Sequence, residues 1–558
     1  MKQIFITIFF LLFLFGCAGQ RPPEGGPPDS VPPEIISVFP APNTVNYTDS
    51  KIVLEFSEYV DRRSTEGAIF ISPTIEEKEF DWSGTELEIT FKEQLRSNTT
   101  YVITVGTDVI DVRAQNRMAK SFTLAFSTGN TIDKGAVAGK VYDEKSDGVM
   151  IFSYRLDTIM PDTLNPAKTK PDYITQTGKS GDFLLTNLAP GKYRMFAIRD
   201  EFRNLLYDPE TDAAGTSDDV TLTLTDTLAS GMKFVIAKED TTPPRLSSVT
   251  ATDDRHLIVQ FSEPMDTLSL AISDFSVTDT LFQNTLPLKQ FFVNNFEYTS
   301  FTIVTEKQKS NQLYLLQVNS VKDRSGFSIN PIARSKQFTG SAVNDTIPPL
   351  ITNSTLKEAS SKIFPDDEIT YQFNDALLMP VSDTAVTLKR QKDSSSVQFR
   401  LLSRAVNTLS FIPTSKLNIG ERYSLTFKWN GIRDLIGNHL KDSIDHVLFT
   451  IDDPENYGSI EGIFGGFGGS LNIIQAKNIN SAKQTEISAV TTASGKFTLP
   501  RLPEGRYALK AFDDKNGNGI HDAGKIFPYK RAERFSLYQD TIRVRARWPV
   551  DGVMMKAQ

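Results

Sequence analysis

The densest group of chemistry-bearing residues is Asp513-Asp514-Lys515-Asn516-Gly517-Asn518-Gly519-Ile520-His521-Asp522. Counted from Asp514, side-chain oxygens fall at the first, third, fifth and ninth places, with a glycine at the sixth. Alternate oxygens turned inward, a carbonyl at the seventh place and a glycine for the sharp bend are the ligand order of a calcium loop. The expected ligands are Asp514, Asn516, Asn518, Asp522 and the carbonyl of Ile520, and Ca2+ is the one cofactor for which the sequence makes a case. The twelfth place, where a bidentate Glu completes such a loop, is Lys525. The same residues can instead close a turn in which Asp and Asn bond their own backbone. An earlier stretch keeps Asp200, Asn204 and Asp208 but has Phe202 and Leu205 in place of Asn516 and Gly519, so it has lost the ligand set.

Acidic pairs come next: Glu58 with Asp61 and Glu263 with Asp266, while Asp375 stands alone at the matching place of a third segment. Two carboxylates can cleave a glycosidic bond as acid and base. Recurrence at one place of a repeated unit points instead to a turn, so no catalytic residue is assigned. The histidines, His256, His439, His446 and His521, form no His-x-x-x-His or His-Glu-x-x-His spacing. The chain has no Gly-x-Ser-x-Gly, no P-loop and no cysteine besides Cys17. That excludes the recognised zinc and thiol arrangements. Gly465-Gly466-Phe467-Gly468-Gly469 lacks the Gly-Lys-Ser/Thr ending of a phosphate loop and reads as a strand connection. The expectation is a protein that is not an enzyme. A net charge of −8 without a basic block also argues against nucleic acid as a partner.

The elements that would position these groups are β-strands. Lys51–Phe56, Glu86–Phe91, 100–105 and 121–127 alternate apolar and polar residues, as half-buried strands do. Turns rich in Asn, Ser, Gly and Asp separate them. Five residues punctuate the chain three times: Asp29-Ser30-Val31-Pro32-Pro33, Asp240-Thr241-Thr242-Pro243-Pro244 and Asp345-Thr346-Ile347-Pro348-Pro349. Paired prolines fix φ and remove two donors, so each phrase is a stiff joint leading into an edge strand. The run from Phe291 to Tyr298 is more aromatic than a core strand needs. It reads either as a contact patch or, the favoured reading, as buried against its own sheet.

Each phrase opens a segment with shared grammar. Phe261-Ser262-Glu263-Pro264-Met265-Asp266 parallels Phe56-Ser57-Glu58-Tyr59-Val60-Asp61. Lys322-Asp323-Arg324-Ser325-Gly326 and Arg433-Asp434-Leu435-Ile436-Gly437-Asn438 follow later in their own segments. This grammar resembles bacterial Ig-like domains of the S-layer type. Two further segments begin Gly135-Ala136-Val137-Ala138-Gly139 and Gly458-Ser459-Ile460-Glu461-Gly462. They align without a gap from Ser180 to Asp208 against Ser494 to Asp522. These resemble transthyretin-like, carboxypeptidase-regulatory-like β-sandwiches, in which Gly191-Lys192-Tyr193 and Gly505-Arg506-Tyr507 would sit at a tight hairpin.

At the start, Met1-Lys2-Gln3 precedes an apolar run that ends in Leu14-Phe15-Gly16-Cys17. The run has the length of a signal-peptide core. The ending resembles a bacterial lipoprotein lipobox, which implies cleavage before Cys17 and lipid attachment at Cys17. Several acyl chains anchor stably where one does not.

The resulting expectation is an all-β tandem array of Ig-like and transthyretin-like β-sandwiches after a signal peptide and flexible tether. The signal peptide covers 1–16, the Pro/Gly-rich tether 17–33 and the first Ig-like domain 34–130. A transthyretin-like domain at 133–238, Ig-like domains at 241–342 and 345–452, and a second transthyretin-like domain at 456–558 complete it. The function expected is a non-enzymatic, lipid-anchored cell-envelope arm for binding or scaffolding, including service as an accessory subunit of an outer-membrane protein complex. Its partners would be the membrane, through Cys17, and envelope or outer-membrane proteins. The destination is the outer membrane, with periplasmic face or cell surface left open. A surface adhesin or S-layer-like structural protein is the alternative, and an accessory or degenerate hydrolase module is the alternative of another class.

Overall fold

The computed structural model describes residues 29–75, 77–156, 160–218, 221–294, 298–356, 363–440, 444–468, 471–480 and 486–557. Cys17, the signal peptide and most of the tether lie outside the described residues. The structure is an array of β-sandwiches, and it divides into two compact units, Met1–Glu239 with Asp522–Glu533, and Asp240–His521 with Arg534–Gln558. Among the described residues no helix is long and apolar enough to cross a membrane.

In the first unit, seven strands follow the first Pro-Pro phrase: β1 Ile35–Phe39, β2 Lys51–Phe56, β3 Ile69–Ser72, β4 Lys78–Ser83, β5 Glu86–Phe91, β6 Thr100–Val105 and β7 Phe122–Ser127. They form two sheets, ordered β1-β2-β5-β4 and β3-β6-β7. As the prolines require, β1 is an edge strand. In β2 and β5 alternate residues are buried, so Ile52, Leu54, Leu87 and Ile89 point inward, as their apolar/polar alternation predicts. In β6 all six residues are buried. Its second face is covered by the following module, whose core includes Val102. A single helical turn, Arg62–Gly67, begins where the Asp61 carboxylate accepts the Ser64 N–H, a normal N-cap.

The second unit contains the same two-sheet order twice more. Residues 246–339 repeat it strand for strand, and residues 351–450 repeat it with one added edge strand, Ser396–Val397. Each copy carries the same tyrosine lock. The hydroxyls of Tyr101, Tyr314 and Tyr423 accept the N–H of Arg96, Lys309 and Asn418 at 2.8–3.0 Å, five residues upstream in every case. A buried Tyr needs a partner for its oxygen, and this bond supplies it while fixing the corner of the sandwich.

The other two modules share a second topology. Gly135–Tyr142 pairs antiparallel with Asp182–Leu188 and parallel with Leu228–Val235. Gly458–Phe464 does the same with Lys496–Leu502 and Pro549–Met555. The paired glycines of the entry motif have a packing cause. A Cβ on Gly139 would lie 2.3 Å from the Met232 carbonyl, and one on Gly462 would lie 2.2 Å from that of Val553.

One expectation needs correction here. The strands before and after Gly191-Lys192-Tyr193 do not form a hairpin. Asp182–Leu188 lies in one sheet and Gly191–Arg199 in the other, paired with Met150–Arg155. The turn is a corner between sheets. Tyr193 donates its hydroxyl to the Ala189 carbonyl at 2.7 Å, and Tyr507 donates to that of Pro503 at 2.9 Å. Asn187 and Arg501 take left-handed backbone at φ 61° and 57° to send the chain across.

Candidate functional site: carboxylates at the module entries

The three Pro-Pro phrases are built alike at atomic level. Asp29, Asp240 and Asp345 each accept, on Oδ1, the N–H of the residue just before the prolines: Val31 at 3.0 Å, Thr242 at 3.1 Å and Ile347 at 3.2 Å. This is an Asx turn. The residue after the prolines is then pinned to the end of the second strand. Ser57, Ser262 and Asn374 accept the N–H of Glu34, Arg245 and Leu350 on their side chains. They return their own N–H to the same residues' carbonyls at 2.8–2.9 Å. The Phe-Ser-Glu and Phe-Asn-Asp sequences therefore hold the entry of each module to its body.

The acid that follows that pin, Glu58, Glu263 or Asp375, sits next to the loop acid Asp111, Asp323 or Asp434. In the second unit the carboxylates converge. One side-chain oxygen from each of Asp240, Glu263 and Asp323 lies within 4.8 Å of the other two, and the same holds for Asp345, Asp375 and Asp434. The loop acids use one oxygen to close their turns. Asp434 Oδ1 accepts Ile436, Gly437 and Asn438 N–H groups at 2.7–3.0 Å, and Asp323 Oδ1 accepts that of Phe327 at 2.8 Å. Their Oδ2 atoms, like Oδ2 of Asp345, are buried and make no hydrogen bond. In the first module, within its own unit, Asp111 spends both oxygens, on the amides of Ala114 and Asn116.

A second group shares Asp345. His256, at the start of strand His256–Phe261, donates from Nδ1 to Asp253 at 2.9 Å and from Nε2 to Asp375 at 3.0 Å, and its Nδ1 lies 3.6 Å from Asp345 Oδ2. Burial would lower the imidazole pKa, but the bonds to Asp253 and Asp375 outweigh it and push the value up to about 10. His256 is thus the imidazolium of the group. Burial, followed by the field of Asp253 and Asp375, raises Asp345 to about 6 against the pull of His256. Burial and the neighbouring Asp240 raise Glu263 to about 7. In both acids burial is the first cause of the rise and neighbouring carboxylates add to it. A buried charge is normally paired or bound to a metal.

Adjacency in sequence pairs Glu58 with Asp61 and Glu263 with Asp266 and does not show these clusters. The structure separates those pairs. Asp61 caps a helix, and Asp266 closes its own turn by accepting the Leu268 N–H. The true partners are more than twenty residues away in sequence. The signal that could have found them is the joint recurrence of the linker Asp, the strand-end acid and the loop Asp in all three segments.

The proposed calcium loop is placed as follows. In the second unit Asp514 accepts, on its two oxygens, the N–H groups of Gly517, Asn518 and Gly519 at 2.8–3.2 Å. Asn516 accepts that of Asn518, and Asn518 that of Ile520, whose side chain is exposed. Asp200 accepts the N–H groups of Asn204 and Leu205 at the corresponding places, although Phe202 stands where Asn516 does. The turn therefore closes on its Asp without needing the full ligand set. Asp522 belongs to the first unit, where its N–H donates to Glu533 Oε2 at 3.1 Å and its carboxylate lies 3.7 Å from Lys530 Nζ.

The aromatic run at 291–298 also finds a partner beyond its own sheet. Phe292 is buried with Val304 of its own module and with Ala376, Val406 and Leu435 of the next, beside the His256–Asp375 bond. Residues 295–297 of that run lie outside the described residues.

Two stretches, 29–128 and 345–451, match the bacterial Ig-like domain family. They are Ig-like domains. No curated protein matches the chain in sequence. Among solved structures, the N-terminal part of the bacterial S-layer protein SbsC is 16% identical, over 38% of this chain and 45% of that one, with a TM-score of 0.17. Domains 1–6 of the same S-layer protein are 11% identical over 92% of this chain and 67% of that one, at a TM-score of 0.14. An L,D-transpeptidase from Mycobacterium smegmatis is 20% identical over 22% of this chain and 54% of that one, also at 0.14. The chain thus spans about half the length of the first of these.

Proposed function

We propose that this chain is a non-enzymatic, lipid-anchored protein of the cell envelope whose sandwich modules act as a binding scaffold for other envelope proteins. Service as an accessory subunit of an outer-membrane complex is the specific form of the proposal. The observation that carries it is a combination. A lipobox-like ending at Cys17 stands before three modules of one topology and two of another, and side-chain bonds hold the entry of each Pro-Pro module to its own body. Such an array offers many exposed strand edges and loops, which is what recognition of a protein partner needs. Under this reading the second module type keeps its transthyretin-like character.

The test is in cells of the native host. The wild-type chain should incorporate an alkyne-tagged palmitate and fractionate with the outer membrane, and Cys17→Ala should lose both. Mild crosslinking of membranes should then recover the same envelope proteins in repeated preparations. Absence of label on the wild-type chain, or recovery of no reproducible partner, would overturn the proposal. Cleavage by protease added to intact cells would favour the surface-displayed, adhesin-like form over the periplasmic one.

A further inference from the structure

We propose that Asp345, Asp375 and Asp434 form a Ca2+ site at the entry of the third Pro-Pro module, and that Asp240, Glu263 and Asp323 form its counterpart at the entry of the second. Three observations point to a ligand. The first is spacing. Three carboxylate oxygens within 4.8 Å of one another can all reach one ion. At metal–oxygen distances of 2.3–2.6 Å, oxygens on opposite sides of a Ca2+ stand about 4.6–5.2 Å apart.

The second is the state of the oxygens themselves. Asp434 and Asp345 are 1% and 6% exposed, Asp323 is 2% exposed, and the Oδ2 atom of each is buried without a hydrogen-bond partner. Each of these residues turns its other oxygen to backbone amides, which fixes the carboxylate. Oδ2 of Asp345 faces His256 Nδ1 at 3.6 Å, while Oδ2 of Asp434 and of Asp323 has neither a hydrogen-bond nor an ion-pair partner among the described residues. Water-excluded carboxylate oxygens are expensive unless a cation or a donor meets them.

The third is recurrence with a built-in exception. The same three positions converge in both modules of the second unit. In the first module the loop acid Asp111 has no spare oxygen, and Asp29 is exposed, so no site is expected there.

The ligand chemistry selects the ion. The available atoms are oxygens, because both ring nitrogens of His256 are bonded to Asp253 and Asp375. An all-oxygen site suits a hard cation and not zinc. Three carboxylates of uneven geometry, completed by carbonyls or water, suit Ca2+ better than the strict octahedron of Mg2+. His256 then acts from the outer shell: it orients Asp375 and ties it to the preceding module. A bound ion would clamp the linker residue Asp345 to two loops of the module it introduces, so cation binding would set the stiffness of that joint.

The experiment uses the full chain in detergent, stripped with chelator, at pH 7.5 and 150 mM KCl. CaCl2 is titrated by calorimetry, with MgCl2 as comparison. Asp434→Asn keeps an oxygen for the loop amides while removing the charge; Asp323→Asn does the same at the second site. Saturable Ca2+ binding that weakens at least tenfold at one class of site in each variant, and that Asp514→Asn leaves in place, supports the proposal. Independently of any variant, Ca2+ should slow amide exchange at residues 345–350 and 434–438 of the wild-type chain. Unchanged exchange there overturns the proposal. So does an absence of binding heat, or binding that disappears in Asp514→Asn alone.

Discussion

Nε2 of His256 lies 3.0 Å from Oδ1 of Asp375, 119 residues further along the chain. The bond joins the second and third Pro-Pro modules within one compact unit, and it sits beside an apolar contact of Phe292 with Ala376 and Leu435. A charged, buried bond next to an apolar seal cannot slide without cost. Rotation at the joint would expose the imidazolium's partners and open the seal together.

Replacement of His256 by Leu should therefore be strongly destabilising. It removes one partner from a buried ionic group and leaves Asp253 and Asp375 facing each other without compensation. Such losses run to about 3–5 kcal/mol. Native-state hydrogen exchange at strands His256–Phe261 and Ile369–Phe373 should show that decrease in opening free energy. Gln at 256 can satisfy one of the two carboxylates and should recover part of it. Equal, small effects of Leu and Gln would show that the histidine is only a space filler.

Some of this architecture is legible in the residues and some is not, for definable reasons. Alternation at Ile52, Leu54 and Phe56 marks a half-buried strand because one sheet face meets the core and the other meets solvent. The same logic misreads Thr100–Val105, where a neighbouring module covers the outer face and all six residues are buried. Gly191-Lys192-Tyr193 has hairpin composition, yet the buried Tyr193 ties the chain to Ala189 and carries it into the opposite sheet. Asp345, Asp375 and Asp434 meet only because the tertiary fold brings a linker, a strand end and a loop together. No local window contains them. Asp514 and its loop, by contrast, lie in one local window, where Asp514 accepts the N–H groups of Gly517 and Gly519.

The entry glycines make a paired prediction. Gly139 and Gly462 occupy the same place in the two modules of the second topology, each against a carbonyl of the parallel strand and a Phe ring, Phe183 or Phe497. A methyl group at either position meets backbone that cannot yield as a side chain would. Gly139→Ala and Gly462→Ala should each cost about 2–3 kcal/mol. Gly231→Ala, where nothing lies within 4 Å, should act only through its backbone angle, φ 89°. Thermal unfolding of the three variants separates the two causes. A loss in Gly139→Ala no larger than in Gly231→Ala would count against the packing explanation.

Glu368 gives a pH signature. Its two oxygens accept a fork of bonds from Arg404, Nε at 2.7 Å and Nη2 at 2.6 Å. Those bonds, joined by one from Ser410, lower its pKa to about 2. A carboxylate whose folded value lies below its ordinary one adds stability above the ordinary value, near 4.5, and loses it as pH falls through about 2. The pair is partly exposed, so solvent screens most of the effect and the gain is small. Glu368→Gln should lower Tm by about 1–2 °C at pH 6, and the difference should vanish near pH 2. A difference that persists unchanged at pH 2 would assign the loss to packing instead.

Phe292 tests whether the seal and the ionic bond act as one structure. Its ring is 4% exposed and touches residues of two modules, so Phe292→Ala removes apolar burial on both sides. Truncation of a buried Phe costs about 3–5 kcal/mol where the cavity cannot collapse. The joint can relax, which lowers the cost but exposes His256 and Asp375 to water. Water would weaken their electrostatic coupling. The two substitutions should therefore be less than additive: with the seal gone, His256→Leu should lose less than it does in the wild-type chain. A double-mutant cycle read at strand Ile369–Phe373 measures this directly, and a coupling of about 1 kcal/mol is expected for residues in one contact network. Strict additivity would mean that the apolar and ionic contacts hold the two modules independently.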